Sequence, residues 1–197
     1  MIEVETPHGP ANVHLRPADD ARAALVLGHG AGGGVTSRDL VAATEAALAD
    51  GISVALVEQP YRVAGRRSPA PAHQLDAAWI AVVDHLAAGE LGGLPLVVGG
   101  RSLGARVACR TADRTGAVAV LCLAFPLHPP GRPDRSRLPE LEAVTVPVLV
   151  VQGEHDPFGM PPAAPRRTVV QVRGDHALRS DLEAVATSVG DWLRRVV

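Results

Sequence analysis

Leu94-Pro95-Leu96-Val97-Val98-Gly99-Gly100-Arg101-Ser102-Leu103-Gly104 is the stretch on which the fold turns. A short apolar run ends in two glycines, a serine stands between Gly100 and Gly104, and Leu103–Ala112 then has the composition of a helix. A strand therefore passes straight into a helix through one tight bend. Glycines two residues before and two after the serine leave room for a backbone bent that sharply. The run is apolar at every position rather than at alternate ones. Strands covered on both faces have that pattern, and they belong to parallel sheets with helices on both sides.

The pattern repeats outward. Ala24–Leu27, Ser53–Val57, Val118–Leu123, Pro147–Val151 and Thr168–Val172 are also nearly continuous apolar runs. Ile2–Glu5 and Asn12–Leu15 alternate instead, around a His8-Gly9-Pro10 turn, and predict an opening hairpin. Helices fill the gaps. Ser37 predicts a cap for a helix with Leu40, Val41, Ala47 and Leu48 on its apolar face, stopped at Asp50-Gly51. Leu75, Trp79, Val82 and Leu86 share one helical stripe that ends near Gly89. Ser180-Asp181-Leu182-Glu183 predicts a capping box for a terminal helix with Leu182, Val185, Val189, Trp192 and Val196 on its stripe. A hairpin followed by repeated strand–helix units predicts an α/β fold, a mostly parallel, doubly wound sheet of about seven or eight strands. Gln59–His73 and Leu127–Thr145 lack periodicity but are too short to be domains, so one domain spanning residues 1–197 is expected.

Composition narrows the function classes. A 47% hydrophobic share supports a full core, and only 3% aromatic residues means that Val, Leu and Ala must build it. All 19 basic residues are arginine, a feature of coding bias rather than chemistry. The net charge is −2 with no run of one sign, so neither nucleic acid nor an anionic membrane is an expected partner. The start of the chain does not read as a signal peptide and no stretch of 18 apolar residues occurs. Cys109 and Cys122 are too few for a disulfide framework and read as small buried hydrophobes. A cytoplasmic location, no metal and no cofactor are expected.

The chemistry lies where strands end. Gly100-Arg101-Ser102-Leu103-Gly104 fits Gly-x-Ser-x-Gly in its strand–turn–helix context, which presents Ser102 as a nucleophile. Read without that context it is a glycine-rich turn with a surface serine. A serine hydroxyl needs a base, and the base needs an acid to orient it. Val148–Val151 runs into Gln152-Gly153-Glu154-His155-Asp156-Pro157-Phe158, and Thr168–Val172 runs into Arg173-Gly174-Asp175-His176. Asp156 and His176 follow Ser102 in the order serine, acid, histidine, each just past a strand's carboxyl end, where sites in parallel sheets gather. Glu154 is the rival acid, and His155 and His128 read as structural or surface residues. Gly28-His29-Gly30-Ala31-Gly32-Gly33-Gly34 follows the strand Ala24–Leu27. Its backbone predicts one oxyanion donor at Ala31, with Leu103 as the second and His29 bracing the loop. A dinucleotide-binding loop is the competing reading, but Glu58 is the only candidate for its acidic partner and the reading leaves Ser102, Asp156 and His176 unexplained.

These residues resemble the α/β-hydrolase superfamily from Leu25 to the C-terminus. More narrowly, the chain is similar to the small lid-less group that holds the testis-expressed hydrolase-like proteins and the hydrolase-like part of a histone-acetyltransferase complex subunit. Carrying the likeness are His29-Gly30-Ala31-Gly32, Pro60-Tyr61 with Gly65-Arg66-Arg67, Gly99–Gly104, Phe125–Gly131 and Gln152–Gly159. Dienelactone hydrolases are similar in size and layout, but Ser102 stands where those have cysteine. The resemblance implies an α/β-hydrolase fold and hydrolase chemistry, and names no substrate. The slot where larger members insert a lid is Leu127–Thr145, with one helical turn expected at Pro139–Ala143. An open site suited to short acyl esters or thioesters follows, and Arg66, Arg67 and Arg101 are candidates for an anionic part of the substrate. An acyltransferase or peptidase using the same serine, and a non-catalytic interaction module on the same scaffold, stay open at this level.

Overall fold

The computed structural model describes all 197 residues. An antiparallel hairpin of β1 (Ile2–Val4) and β2 (Ala11–Arg16) leads into β3 (Ala23–Gly28), α1 (Arg38–Ala49), β4 (Ile52–Glu58), the single turn α2 (Pro60–Val63) and α3 (Ala72–Ala88). Then come β5 (Leu96–Arg101), α4 (Leu103–Thr111), β6 (Ala119–Leu123), α5 (Leu138–Glu142), β7 (Val148–Gly153), β8 (Arg167–Val172) and α6 (Leu182–Val196). One eight-stranded sheet results, in the order β1-β2-β4-β3-β5-β6-β7-β8. β2 meets β4 antiparallel, and every pair from β4 to β8 is parallel.

The continuous apolar runs are explained by two cores. Ala24, Val26 and Val98 face α3 and α4 with Trp79, Leu86 and Phe125. Leu25, Leu27 and Val97 face α1 and α6 with Leu40, Val189 and Trp192. Each central strand thus feeds both cores through its pleat. The free Cys109 and Cys122 lie in the first core with their sulfurs 3.5 Å apart, and the hydrogen bond between them together with burial pushes the Cys122 thiol up.

Three local readings differ from the structure. Ser37 occupies the cap position of α1, but its hydroxyl makes no capping bond. Val41 is 41% exposed, because the buried stripe of α1 runs through Leu40, Ala43, Thr44 and Ala47. At α6 the cap is Asp181, one residue past Ser180, and its Oδ1 accepts from the Ala184 N–H at 3.2 Å. α5 is the short turn expected in the lid slot, and no separate lid is present.

The winding sets the site. β3 has β4 on one side and β5 on the other, so the chain reverses its direction of travel across the sheet between them. The loops after β3 and β5 therefore diverge from neighbouring strand ends and leave a crevice.

Candidate functional site

Ser102 stands at φ 53°, ψ −106°, a left-handed conformation unusual for a residue with a side chain. Its own N–H donates to the Leu123 carbonyl at 2.8 Å, which ties the bend to β6. A side chain at Gly100 or at Gly104 would run into the Gly28 carbonyl, so the β5–α4 bend fits against β3 only with glycine on both sides of the serine.

His176 reaches Ser102 from the loop after β8. Its Nε2 lies 2.8 Å from Ser102 Oγ, and its Nδ1 lies 2.8 Å from Asp156 Oδ2. This loop comes close because β7 ends in Gly153, where any Cβ would meet the Asp175 carbonyl. The Asp156 side chain is 1% exposed. Its Oδ2 also accepts from Gln152 Nε2 at 2.8 Å, and its Oδ1 accepts from the Phe158 N–H at 2.8 Å. The Phe158 ring packs against the imidazole, with centroids 4.2 Å apart. A carboxylate so bound is fixed in place, and it sets the imidazole with Nδ1–H toward the acid and Nε2 toward the hydroxyl. The arrangement can move a proton off Ser102 Oγ and hold the resulting imidazolium. Glu154 and His155 point outward and meet each other at 3.5 Å. His128 is held by the Pro129 carbonyl.

The start of the loop after β3 is pinned by the residues that follow β4. His29 Nε2 accepts from the Gln59 N–H at 3.1 Å, so the ring proton sits on Nδ1, which faces the Gly30 carbonyl at 2.8 Å. Burial lowers the His29 pKa, outweighing the hydrogen bond to Gly30 that raises it, and Arg62 adds to the lowering. The Tyr61 hydroxyl donates to the Ala31 carbonyl at 3.0 Å, and burial raises its pKa to about 12. Ala31 and Leu103 line the same cavity as Ser102, and no group of the protein accepts a hydrogen bond from either backbone N–H. Leu103 is the first residue of α4, where helix N–H groups lack partners in the helix itself.

That cavity measures about 480 Å³ and opens to solvent. Pro69, Ala70, Leu75, Pro126 and Phe158 supply apolar wall, and Arg106, Arg110 and Arg137 supply charge. None of the three arginines expected to meet substrate lines it. Arg66 and Arg67 are exposed, and Arg66 borders a separate small depression beside His8 and Gln59. Arg101 lies on the far side of β5. It shares the parity of Val97 on the pleat and so faces α1, where its Nε sits 2.8 Å from Asp39 Oδ2 in a charge contact without hydrogen-bond alignment. Its Nη2 donates to the His176 carbonyl at 3.0 Å. Gln152, Phe158 and the three cavity arginines carry no role in the sequence reading. Gln152 has a signal, a polar residue next to the end of a wholly buried strand, four positions before Asp156. No three His, Cys, Asp or Glu side chains are grouped to hold a metal ion, and no helix is long and apolar enough to cross a membrane.

Comparison with known proteins agrees with this architecture. No curated protein matches the chain. A lid-less α/β serine hydrolase from Xanthomonas campestris is 21% identical, with a TM-score of 0.79 over 98% of this chain and 93% of its own. Est1E from Butyrivibrio proteoclasticus, solved with ferulic acid bound, is 17% identical, with a TM-score of 0.83 over 100% and 99%. A dienelactone hydrolase from Anabaena variabilis is 18% identical, with a TM-score of 0.80 over 100% and 96%. The family described as the alpha/beta hydrolase domain matches residues 21–182, and the chain belongs to it.

Proposed function

We propose that the protein is a serine hydrolase that cleaves a small carboxylic ester or thioester through an acyl-serine intermediate. The observation that carries this reading is the pair of 2.8 Å contacts from Ser102 Oγ to His176 and from His176 to Asp156, with Ser102 lining a cavity. Ser102 Oγ attacks the acyl carbonyl while its proton passes to His176 Nε2. Asp156 stabilises the imidazolium, and the N–H groups of Ala31 and Leu103 receive the oxyanion. His176 then protonates the leaving alcohol or thiol. Water, deprotonated by the same imidazole, attacks the acyl-serine, and His176 returns that proton to Ser102 Oγ as the bond to it breaks and the acid leaves. The opening of the cavity to solvent gives water a path to the acyl-serine. Est1E, alike in fold, holds ferulic acid, a carboxylic acid, which fits the product side of such a cycle.

The test is labelling by a fluorophosphonate probe, followed by a panel of p-nitrophenyl esters and thioesters of graded chain length. Wild type is expected to label and to turn over short esters. Ser102→Ala is expected to lose labelling and at least about 10⁴-fold in turnover. A folded wild-type protein that neither labels nor hydrolyses any of the panel would instead support an interaction module on a hydrolase scaffold.

A further inference from the structure

We infer that the cavity beside Ser102 is built to receive a carboxylate, so that the hydrolase acts on esters carrying a second, ionised carboxyl group held by Arg137. The substrate assignment rests on the hydrolase reading above, and the anion site rests on the cavity wall alone.

Three guanidiniums line the cavity, and no carboxylate does. Two of the three are already matched from behind. Arg110 grips Asp76 with both arms of its fork, Nε at 2.9 Å and Nη2 at 2.6 Å. Arg106 grips Glu140 in the same way, at 2.9 Å and 2.6 Å, and Glu140 also lies 3.5 Å from Arg110. Arg137 has no such partner. Its Nη1 donates to the Pro126 carbonyl at 3.0 Å, and no carboxylate lies within 4 Å of it. Three cations against two anions leave one positive charge on the wall, at Arg137. Partial burial and the neighbouring charge of Arg106 depress the Arg137 pKa, and the charge of Glu140 offsets them only in part. An ionised carboxylate in the cavity would supply the partner that Arg137 lacks, since charge-assisted and bidentate pairing with a guanidinium is among the stronger contacts available to a ligand. The apolar wall of Ala70, Leu75, Pro126 and Phe158 suits the short chain or ring that joins this carboxylate to the ester. At about 480 Å³ the cavity lies within the range of small-molecule sites.

The experiment compares mono-p-nitrophenyl glutarate with p-nitrophenyl pentanoate, and 4-acetoxybenzoate with 4-acetoxybenzamide. The two pairs place the charge on the acyl and on the alcohol side. In at least one pair, wild type is expected to favour the anion in kcat/KM. Arg137→Gln is expected to lower that anionic-to-neutral ratio about 10- to 100-fold, chiefly through KM. Arg137→Lys, which keeps the charge without the fork, should recover part of it. A purely structural role for Arg137 would depress both esters alike and leave the ratio fixed. A ratio unchanged in Arg137→Gln overturns the inference while leaving the hydrolase reading intact. If wild type turns over neither pair and takes no fluorophosphonate label, the hydrolase reading fails. Calorimetry with 4-hydroxybenzoate and 4-hydroxybenzamide then decides the site. Tighter binding of the anion, lost in Arg137→Gln, supports it, and equal affinities overturn it.

Discussion

Beneath the cavity, Ser102, His176 and Asp156 come from three strand ends, and His176 lies one hydrogen bond from each of the other two. The wall above them is made of Arg106 and Arg110 on α4 and Arg137 just before α5, long side chains held by ion pairs or by a single carbonyl. The floor is fixed by backbone. Glycines let three loops approach to contact, and the buried Gln152 and the Phe158 N–H leave the Asp156 carboxylate one orientation. The wall is fixed by charge balance, and that balance is incomplete at Arg137. A floor of this kind supplies one chemistry, whereas a wall of this kind sets which molecule meets it.

The comparison breaks first at the floor. Asp156→Asn keeps the shape but presents an amide in place of the charge, so the imidazole loses its tautomer and the imidazolium its counter-ion. Activity on every ester in the panel should fall about 10³- to 10⁴-fold, with the anionic-to-neutral ratio unchanged. A loss under about tenfold would show that Asp156 is not the orienting acid.

Arg101 tests whether the floor depends on its support from behind. Its guanidinium joins the 1%-exposed Asp39 side chain to the carbonyl of His176. Arg101→Met removes the cation and leaves a buried carboxylate uncompensated, at a cost of about 3–5 kcal/mol. For a chain of this size that corresponds to a fall in Tm of about 10 °C. Asp39→Asn combined with Arg101→Met should recover much of the loss, because no charge is then left buried. An equal Tm for the single and double variants would place the cost elsewhere.

Arg101 also marks where the sequence stops being legible. The site floor was readable because its signals are local. Each residue follows an apolar run, the spacing is that of strand ends, and Gly-x-Ser-x-Gly has a steric reason. The sheet was readable from the same runs. The wall was not, because which of 19 arginines meets the cavity depends on how α4 turns on the sheet and where the chain before α5 lies. Arg101 is a candidate for the substrate in sequence, but the pleat sends alternate residues to opposite faces, and its side chain faces α1. Capping failed at the same scale. Asp181 rather than Ser180 closes α6, since one residue of offset lies inside the ambiguity of such signals.

Acid sharpens the contrast at the loop after β3. Folding lowers the His29 pKa through burial, so the folded chain protonates this ring at lower pH than the unfolded chain, whose value is near 6.5. Between the two values the unfolded state binds more protons, and stability falls as pH drops. Above about 6.5 neither state is protonated and the contribution is complete. Protonation would turn Nε2 into a second donor facing the Gln59 N–H. In a comparison of Tm against pH, His29→Gln should lose this part of the slope below pH 6.5. Parallel curves for the two proteins would mean that His29 is not the group responsible.

The smallest effect is expected at Arg66 and Arg67, and its smallness is informative. Both are exposed on the segment after α2, outside the cavity that Arg106, Arg110 and Arg137 line. Charges in water are screened over about 8 Å at physiological salt, so two exposed guanidiniums contribute little to a substrate held elsewhere. The double variant Arg66→Ala, Arg67→Ala should keep its stability within about 0.5 kcal/mol of wild type. It should also hydrolyse anionic and neutral esters in the wild-type ratio. If the ratio instead falls as it should in Arg137→Gln, then the segment after α2 folds over the cavity when substrate binds, and the charge that selects substrate comes from a mobile loop rather than from the wall beside α4.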